Sequence, residues 1–407
     1  MKYAPKLLMI FLAASCAFSA LADTISTKFS VGYNEAWTAS NYSNWLASNS
    51  IPNLWTLPSA FDPNLIKTIF EGMNRDKVNI ARIWLFPNMQ GVVIDPLQTP
   101  QTQGLYSSKG SQNPEMIVNL KTVFDLASQY GIRLYLSALD ANSMKLLATP
   151  GLTPNTLYNY YTQLLNNPYE MEAYHSRVII PILDWIVDNK YTDLVYAFDI
   201  INEIEAAIFA GYFPYNPPKT SISGVPEARN WISNMIKLIS KNSKYKMIPL
   251  TAAAGWGNAV SEITLGFFSG LGLSFYDVHV YSDTGNYPGQ QELCDKVKAD
   301  NTPIILGEFG QLSKSYDDNL QQSSTYVFLF NAKNSCFSGA LAWKYEGLFN
   351  TSIGAQPQLS YMGINIDTNS PNYGQFITNC SLPIPGPTCP RPAYNTIRSF
   401  SSISHRN

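Results

Sequence analysis

The chain has 407 residues, of which 14% are charged and 13% aromatic, with 27 Lys+Arg against 29 Asp+Glu. A slightly acidic balance excludes nucleic acid or an anionic membrane surface as the natural partner. The length suits one large core, since a barrel of eight βα units takes roughly 250 residues and more with insertions.

Lys2 and Lys6 precede a stretch from Leu7 to Ala22 that carries no charge and ends Ala20-Leu21-Ala22 before Asp23. A charged start, an apolar stretch and a small-x-small site read as a secretory signal, residues 1–22. Residues 23–407 then form a single domain, secreted to the periplasm or the exterior. The uncharged stretch is shorter than the roughly 20 residues of a membrane span, so no stable membrane insertion is expected. A membrane anchor, or a lipid on Cys16, is the alternative.

Strand-like apolar runs then alternate with helical patterns. KFSVGYNEAW (28–37) is the first strand. PNLIKTIFEGMNRD follows as a helix, with Asp62 as N-cap and Pro63 at the first helical position. VNIARIWLF (78–86) is the second strand. The next helix, PEMIVNLKTVFDLASQY, stops at Gly131. IRLYLSAL (132–139) is the third strand, and 168–189 reads as a long helix. LVYAFDIINEIE (194–205) holds the fourth strand, so apolar that both of its faces must be covered.

A helix over 226–242 leads to KMIPLTAAA (246–254), the fifth strand. A short helix at 258–269 leads to LSFYDVHVY (273–281), the sixth. A helix at 288–299 leads to TPIILGEFG (302–310), the seventh. A helix at 316–335 leads to GALAWKYEG (339–347), the eighth, and 391–403 closes the fold as a last helix.

Eight alternations predict an α/β fold of the (β/α)8 TIM barrel type, because eight is the number that closes a barrel. A doubly wound open sheet is the competing architecture, but no GxGxxG or GxxxxGK[ST] phosphate loop is present. Insertions at 87–113, 140–166, 206–225 and 346–390 all follow strands. They therefore belong to the C-terminal mouth, where a barrel builds its substrate cleft.

Beyond the leader four cysteines remain, Cys294, Cys336, Cys380 and Cys389. An even count in an exported chain suggests disulfides, with three pairings possible. One of these joins Cys380 to Cys389 across a proline-rich loop and Cys294 to Cys336.

Two acids stand where packing gives them no reason to be. Glu203 ends the fourth strand, and Glu308 ends the seventh. They are 105 residues apart (308 minus 203), or three βα units of about 35 residues. Strands four and seven face each other across a barrel mouth, so both carboxyls can converge on one bond. Two carboxyls flanking a glycosidic bond are what its hydrolysis requires. Trp37, Trp84 and Trp256 lie at or near strand ends, where an indole can stack on a sugar or fill the core.

FDIINE on strand four, HVY on strand six and GEFG on strand seven resemble glycoside hydrolase clan A, and most closely glycoside hydrolase family 5. The order of motifs agrees over nearly the whole chain after the leader. The resemblance implies a retaining endo-β-glycanase with no cofactor and no metal, acting as a monomer on a polysaccharide or oligosaccharide. Glu203 would be the acid/base, kept protonated by burial and by its acidic neighbour. Glu308 would be the ionised nucleophile, supported by Arg82 and Tyr281. Asn202 would bond the sugar 2-hydroxyl, His279 and Tyr281 would line the site, and Trp343 would carry the ring being cleaved. Asn34 and Trp37 at the exit of strand one join the substrate-binding set. The first substrate expected is β-1,4-glucan, as for a cellulase, and β-mannan is the second.

The chain departs from the family pattern in three places. LSALDANSM after strand three offers Ser137, Asp140 and Asn142 where a histidine is usual. Ile204 replaces the usual proline after the acid/base. YNEAW adds a polar pair, Asn34 and Glu35. A metal-dependent hydrolase is disfavoured because only His279 of three histidines sits at a strand end, and a serine nucleophile because no GxSxG occurs. A barrel that binds glycan without cleaving it is the alternative of another class.

Overall fold

The computed structural model describes residues 29–35, 63–86, 89, 91–94, 102–105, 114–147, 156–213, 225–312, 317–347, 365–367 and 388–404. The leader, Asp62, Trp37 and the Cys380–Cys389 loop lie outside the described residues, apart from Thr388 and Cys389.

The barrel strands are β1 (Ser30–Asn34), β2 (Ile80–Trp84), β3 (Arg133–Ser137), β4 (Val195–Asp199), β5 (Leu250–Thr251 and Ala253–Ala254), β6 (Tyr276–Tyr281), β7 (Ile304–Gly310) and β8 (Phe337–Ala342). Every neighbouring pair is parallel. β8 returns to β1 in the register Ser30↔Gly339 to Tyr33↔Ala342, so the ring closes there. On the opposite side β5 breaks at Ala252. Its first half pairs with β4 through Phe198↔Leu250, and its second half with β6 through Ala253↔Asp277. Nine strand segments thus make an eight-stranded barrel.

Each strand is apolar on both faces because each face is covered. On β2, Ile80 faces the barrel axis with Tyr135, Tyr196, Ala197, Phe275, Ile305 and Leu341. Ala81 and Ile83 point the other way, into the core shared with the helices. The interior floor is aromatic, with Tyr135 5.9 Å from Tyr196 and 6.0 Å from Phe275 between ring centres. Arg82 and Trp84 continue the inward row toward the mouth.

The outer helices fall where periodicity predicts them: Pro63–Arg75, Glu115–Tyr130, Ile180–Asp188, Pro226–Ser240, Ala259–Thr264, Gln290–Asp300, Asp318–Lys333 and Ala393–Ser404. Gly131 takes the left-handed φ of 67° that ends Glu115–Tyr130, and Ile132 N–H closes back on Ala127 O at 2.8 Å. The expected helix over 168–189 is interrupted by a π turn, His175–Ile179. The fifth strand starts at Leu250, later than expected, because the turn that opens with the 3-10 segment Ser243–Tyr245 runs on through Lys246, Met247 and Ile248. The eighth stops at Ala342, and Glu346–Gly347 joins a separate small sheet with Asn365–Asp367 and Thr388–Pro390. A disulfide joins Cys294 to Cys336, as one of the three pairings requires. Among the described residues no helix is long and apolar enough to cross a membrane.

The mouth carries the insertions. An antiparallel hairpin (Val92–Ile94, Thr102–Leu105) follows β2. Helices Ala141–Leu147 and Thr156–Asn166 follow β3, and Ile204–Phe209 follows β4.

Candidate active site

Glu203 leaves β4 with a strained backbone. Its φ of 50° and ψ of 60° are left-handed, which a residue with a Cβ rarely adopts. Its N–H holds Ala253 O at 3.1 Å, and the preceding Asn202 N–H holds Leu139 O at 2.8 Å. Bonds to the strands on both sides thus fix the turn, and strain of this kind concentrates at functional sites. Glu308 is aimed by a different device. The β6–β7 register jumps between Leu306 and Glu308, so the bulge at Gly307 sets Glu308 opposite His279.

The two carboxyls meet at His279. Its Nδ1 lies 2.8 Å from Glu203 Oε1 and 3.4 Å from Glu308 Oε1. One carboxylate oxygen from each glutamate and a ring nitrogen all fall within 4.8 Å of one another. Glu308 also accepts from Arg82 Nη1 at 2.6 Å and from the Tyr281 hydroxyl at 2.5 Å. Glu203 Oε2 accepts from Asn142 Nδ2 at 2.6 Å.

Arg82 ties the floor together. Nη1 also reaches Asn34 Oδ1 at 3.2 Å, and Nη2 donates to Asp199 at 2.8 Å and to Asn202 Oδ1 at 2.9 Å. Its guanidinium lies over Trp84 at 4.4 Å and Tyr135 at 4.9 Å from the ring centres. Asn202 Nδ2 donates in turn to Asp140 at 3.0 Å. Asn34 Nδ2 holds Gly307 O at 2.9 Å.

Burial works against a charged His279, but Glu308 and Asp277 outweigh it and push the imidazole up to about 10. Burial also raises Glu203, yet the hydrogen bond and charge of His279, with Asn142 and Arg82, leave it below the usual range. Burial and the charge on Glu203 raise Glu308 to about 7, against the pull of His279, Arg82 and Tyr281. This order reverses the sequence expectation of a protonated Glu203 beside an ionised Glu308. The physical reason is His279, which sits nearer Glu203. Arg82 and His279 supply two positive charges against four acids, Glu203, Glu308, Asp199 and Asp277, so the cluster retains a proton that belongs to the pair.

Of the expected residues, Glu203, Glu308, Arg82, Asn202, His279 and Tyr281 form one hydrogen-bonded cluster. Asn34 is fully buried behind Arg82. Trp343 is buried edge-on against Trp84, with ring centres 5.7 Å apart. Trp84 belongs to the floor, whereas Trp256 stands half-exposed at the rim and donates Nε1–H to Asn142 Oδ1 at 3.1 Å. The sequence names Trp256 as an indole for stacking or core and Asn142 as a stand-in for the usual histidine, without their contacts to each other and to Glu203, and it does not single out Asp199 or Asp277. Asp199 and Asp277 had a signal, since a charge inside an apolar strand needs a partner.

Glu203, His279 and Glu308 have a spacing that ligating groups can show. Here Arg82 and the imidazole already meet the negative charge, so the trio reads as an acid–base cluster and not as a metal centre.

No protein-family model and no curated protein matches the sequence. Solved structures do. A β-1,4-D-mannanase from Cryptopygus antarcticus matches at 13% identity over 83% of this chain and 90% of that one, with a TM-score of 0.53. A GH5_18 protein from Streptomyces cattleya in complex with GlcNAc matches at 13% identity over 94% and 82%, with a TM-score of 0.59. A β-mannanase from the blue mussel Mytilus edulis matches at 16% identity over 83% and 91%, with a TM-score of 0.52. The chain thus shares the (β/α)8 barrel fold of these proteins, the fold that the resemblance to glycoside hydrolase clan A implies.

Proposed function

We propose that the chain is a secreted, retaining glycoside hydrolase that cuts a β-1,4-linked, mannose-containing polysaccharide internally. The observation that carries the reading is the approach of Glu203 and Glu308 oxygens to within 4.8 Å across the mouth. Retaining pairs stand roughly 5–5.5 Å apart, whereas inverting pairs leave roughly 6.5–9.5 Å for a water.

Glu308 attacks the anomeric carbon and forms a glycosyl ester while Glu203 protonates the departing oxygen. Water then enters, Glu203 takes its proton, and the ester opens with the original configuration. The pair's proton must sit on Glu203 when substrate arrives. Arg82 and Tyr281, both bonded to Glu308, favour its ionised form in that complex. The amide hydrogen that Asn202 keeps free of Asp140 is the donor for a sugar 2-hydroxyl.

The substrate rests on similarity. Two of the three similar structures above are named β-mannanases. A variant of the Streptomyces protein, in complex with Manb1-4GlcNAc, is similar as well. Mannan therefore takes precedence over the glucan first expected. The Cys294–Cys336 disulfide supports an oxidising compartment.

The test is a panel of mannan, glucomannan, glucan and xylan, with NMR of fresh product. Release of oligosaccharides from mannan with the β anomer first is expected. An α anomer first would remove the retaining mechanism, and activity on glucan alone would remove the substrate. Binding of glycan without release would leave a non-catalytic barrel.

A further inference from the structure

Beneath His279 lies an acid for which the hydrolytic steps have no use. Asp277 precedes His279 by two residues on β6, so both side chains face the barrel axis. Its Oδ2 accepts a short hydrogen bond from the Tyr135 hydroxyl. Among the described residues its Oδ1 has no hydrogen-bond partner, and neither has His279 Nε2. These two buried atoms stand 3.7 Å apart. An orphaned acceptor and an orphaned ring nitrogen that close need only a small shift to bond.

The neighbouring strand is shaped to admit this carboxylate. A Cβ on Gly307 would lie 1.7 Å from Asp277 Oδ1 and 2.4 Å from its Cγ. Nor is that backbone free to withdraw, because Asn34 Nδ2 holds the Gly307 carbonyl at 2.9 Å. The glycine that aims Glu308 is thus the same glycine that makes room for Asp277.

The ring's protonation follows from its surroundings. A neutral ring protonated only on Nδ1 would turn the Nε2 lone pair toward Asp277. One protonated only on Nε2 would turn a lone pair toward Glu203 Oε1 at 2.8 Å and Glu308 Oε1 at 3.4 Å. Once the pair has lost its shared proton and both glutamates are ionised, the imidazolium alone presents a donor at both ends. We propose that Asp277 is a positioning residue: it pins the Nε2 proton and holds His279 as a cation whose Nδ1–H points between the catalytic carboxyls.

The charged and titratable groups facing the ring are Asp277, Glu203 and Glu308. Arg82, Tyr135, Tyr281 and Asp199 stand around them. Burial opposes ionisation of Asp277, but His279, Arg82 and Tyr135 hold it below the usual carboxylate range. His279 is pushed up to about 10 by Glu308 and Asp277 against burial.

The idea rests on the acid/base reading of the pair, but its first readout needs no turnover. Histidine-selective 15N labelling gives three imidazoles, and His279→Gln identifies the signal of interest. Both ring nitrogens of His279 should stay protonated through neutral pH and titrate near 10. Asp277→Asn should move that titration to lower pH, and it should shift the acidic limb of kcat/KM upward, because loss of the cation lets the carboxyls keep protons longer. A bare nitrogen on wild-type His279 at neutral pH, or an unchanged titration in Asp277→Asn, would overturn the proposal. Should the variant fail to fold, the wild-type titration decides alone. If His279 behaves as stated and no glycan is cleaved, the proposed hydrolysis fails and the dyad stands.

Discussion

Gly255 lies against the carboxyl of Glu203 so closely that a Cβ there would stand 2.1 Å from Oε1 and 2.2 Å from Cδ. The residue follows the second half of β5, and its N–H is fixed by Glu205 Oε1 at 3.1 Å. Its φ of −132° and ψ of −159° are ordinary for any residue. The glycine is required by the glutamate, not by the backbone.

Gly255→Ala should therefore spare the fold and displace the acid/base. The atoms that must yield are the far end of one side chain, so the thermal midpoint should fall little. A displacement of about 1 Å at a reacting group can cost on the order of 10²-fold in rate. A near-normal midpoint with kcat reduced by that order is the expected result. Wild-type turnover would show that Glu203 does not act from this position.

Substituting the carboxyls separates their roles. Glu308→Ala should abolish turnover on every substrate, because among the described residues nothing else is placed to attack the anomeric carbon. Glu203→Ala should lose activity on polysaccharide but keep much of it on aryl glycosides, whose leaving groups need no proton. The resting electrostatics make this comparison informative, since Glu308 is the carboxyl raised to about 7. Rescue of Glu308→Ala by an activated leaving group would exchange the two assignments.

The pH profile follows from the same cluster. A raised pKa means that the proton is present below the value and lost as pH rises through it. The pair should thus lose its shared proton near 7, and kcat/KM should fall above that pH. The acidic limb comes when the pair takes up a second proton and the nucleophile is neutralised; His279 holds that lower step below the usual glutamate range, so activity should persist into mildly acidic buffer. A basic limb well above 7 would mean that the proton is supplied from elsewhere.

The proposed catalytic pair was legible because barrel strands are uniformly apolar, and an acid at a strand exit stands out against that background. Arg82 stood out for the same reason inside ARIWLF. What stayed hidden depends on distances that spacing does not encode. Asn142 sits on the first turn after β3, and nothing in LSALDANSM says that its amide meets Glu203. The order of ionisation turns on an imidazole 2.8 Å from one glutamate and 3.4 Å from the other. The break at Ala252 is masked by the run of small residues in TAAA. Trp84 and Trp256 look alike as strand-end indoles. Only the packing puts one under Arg82 and the other on the rim.

Asn142 stands where the chain departs from the glycoside hydrolase pattern it resembles, and its contacts show what it does there. It gives Glu203 Oε2 a hydrogen bond at 2.6 Å and is itself oriented by Trp256 Nε1 at 3.1 Å. A donor to a carboxylate favours the ionised form. Asn142→Ala should therefore raise the proton affinity of Glu203, move the acidic limb of the profile upward, and lower kcat by about tenfold, equivalent to about 1.4 kcal/mol. Trp256→Phe keeps a ring at the rim but removes the N–H that orients the amide, so it should reproduce part of the limb shift with little change in KM. Trp256→Ala also removes a surface on which a sugar can stack and should raise KM as well. Equal effects from the two Trp256 variants would assign the residue to orientation alone. An unmoved limb in Asn142→Ala would leave the amide a packing contact.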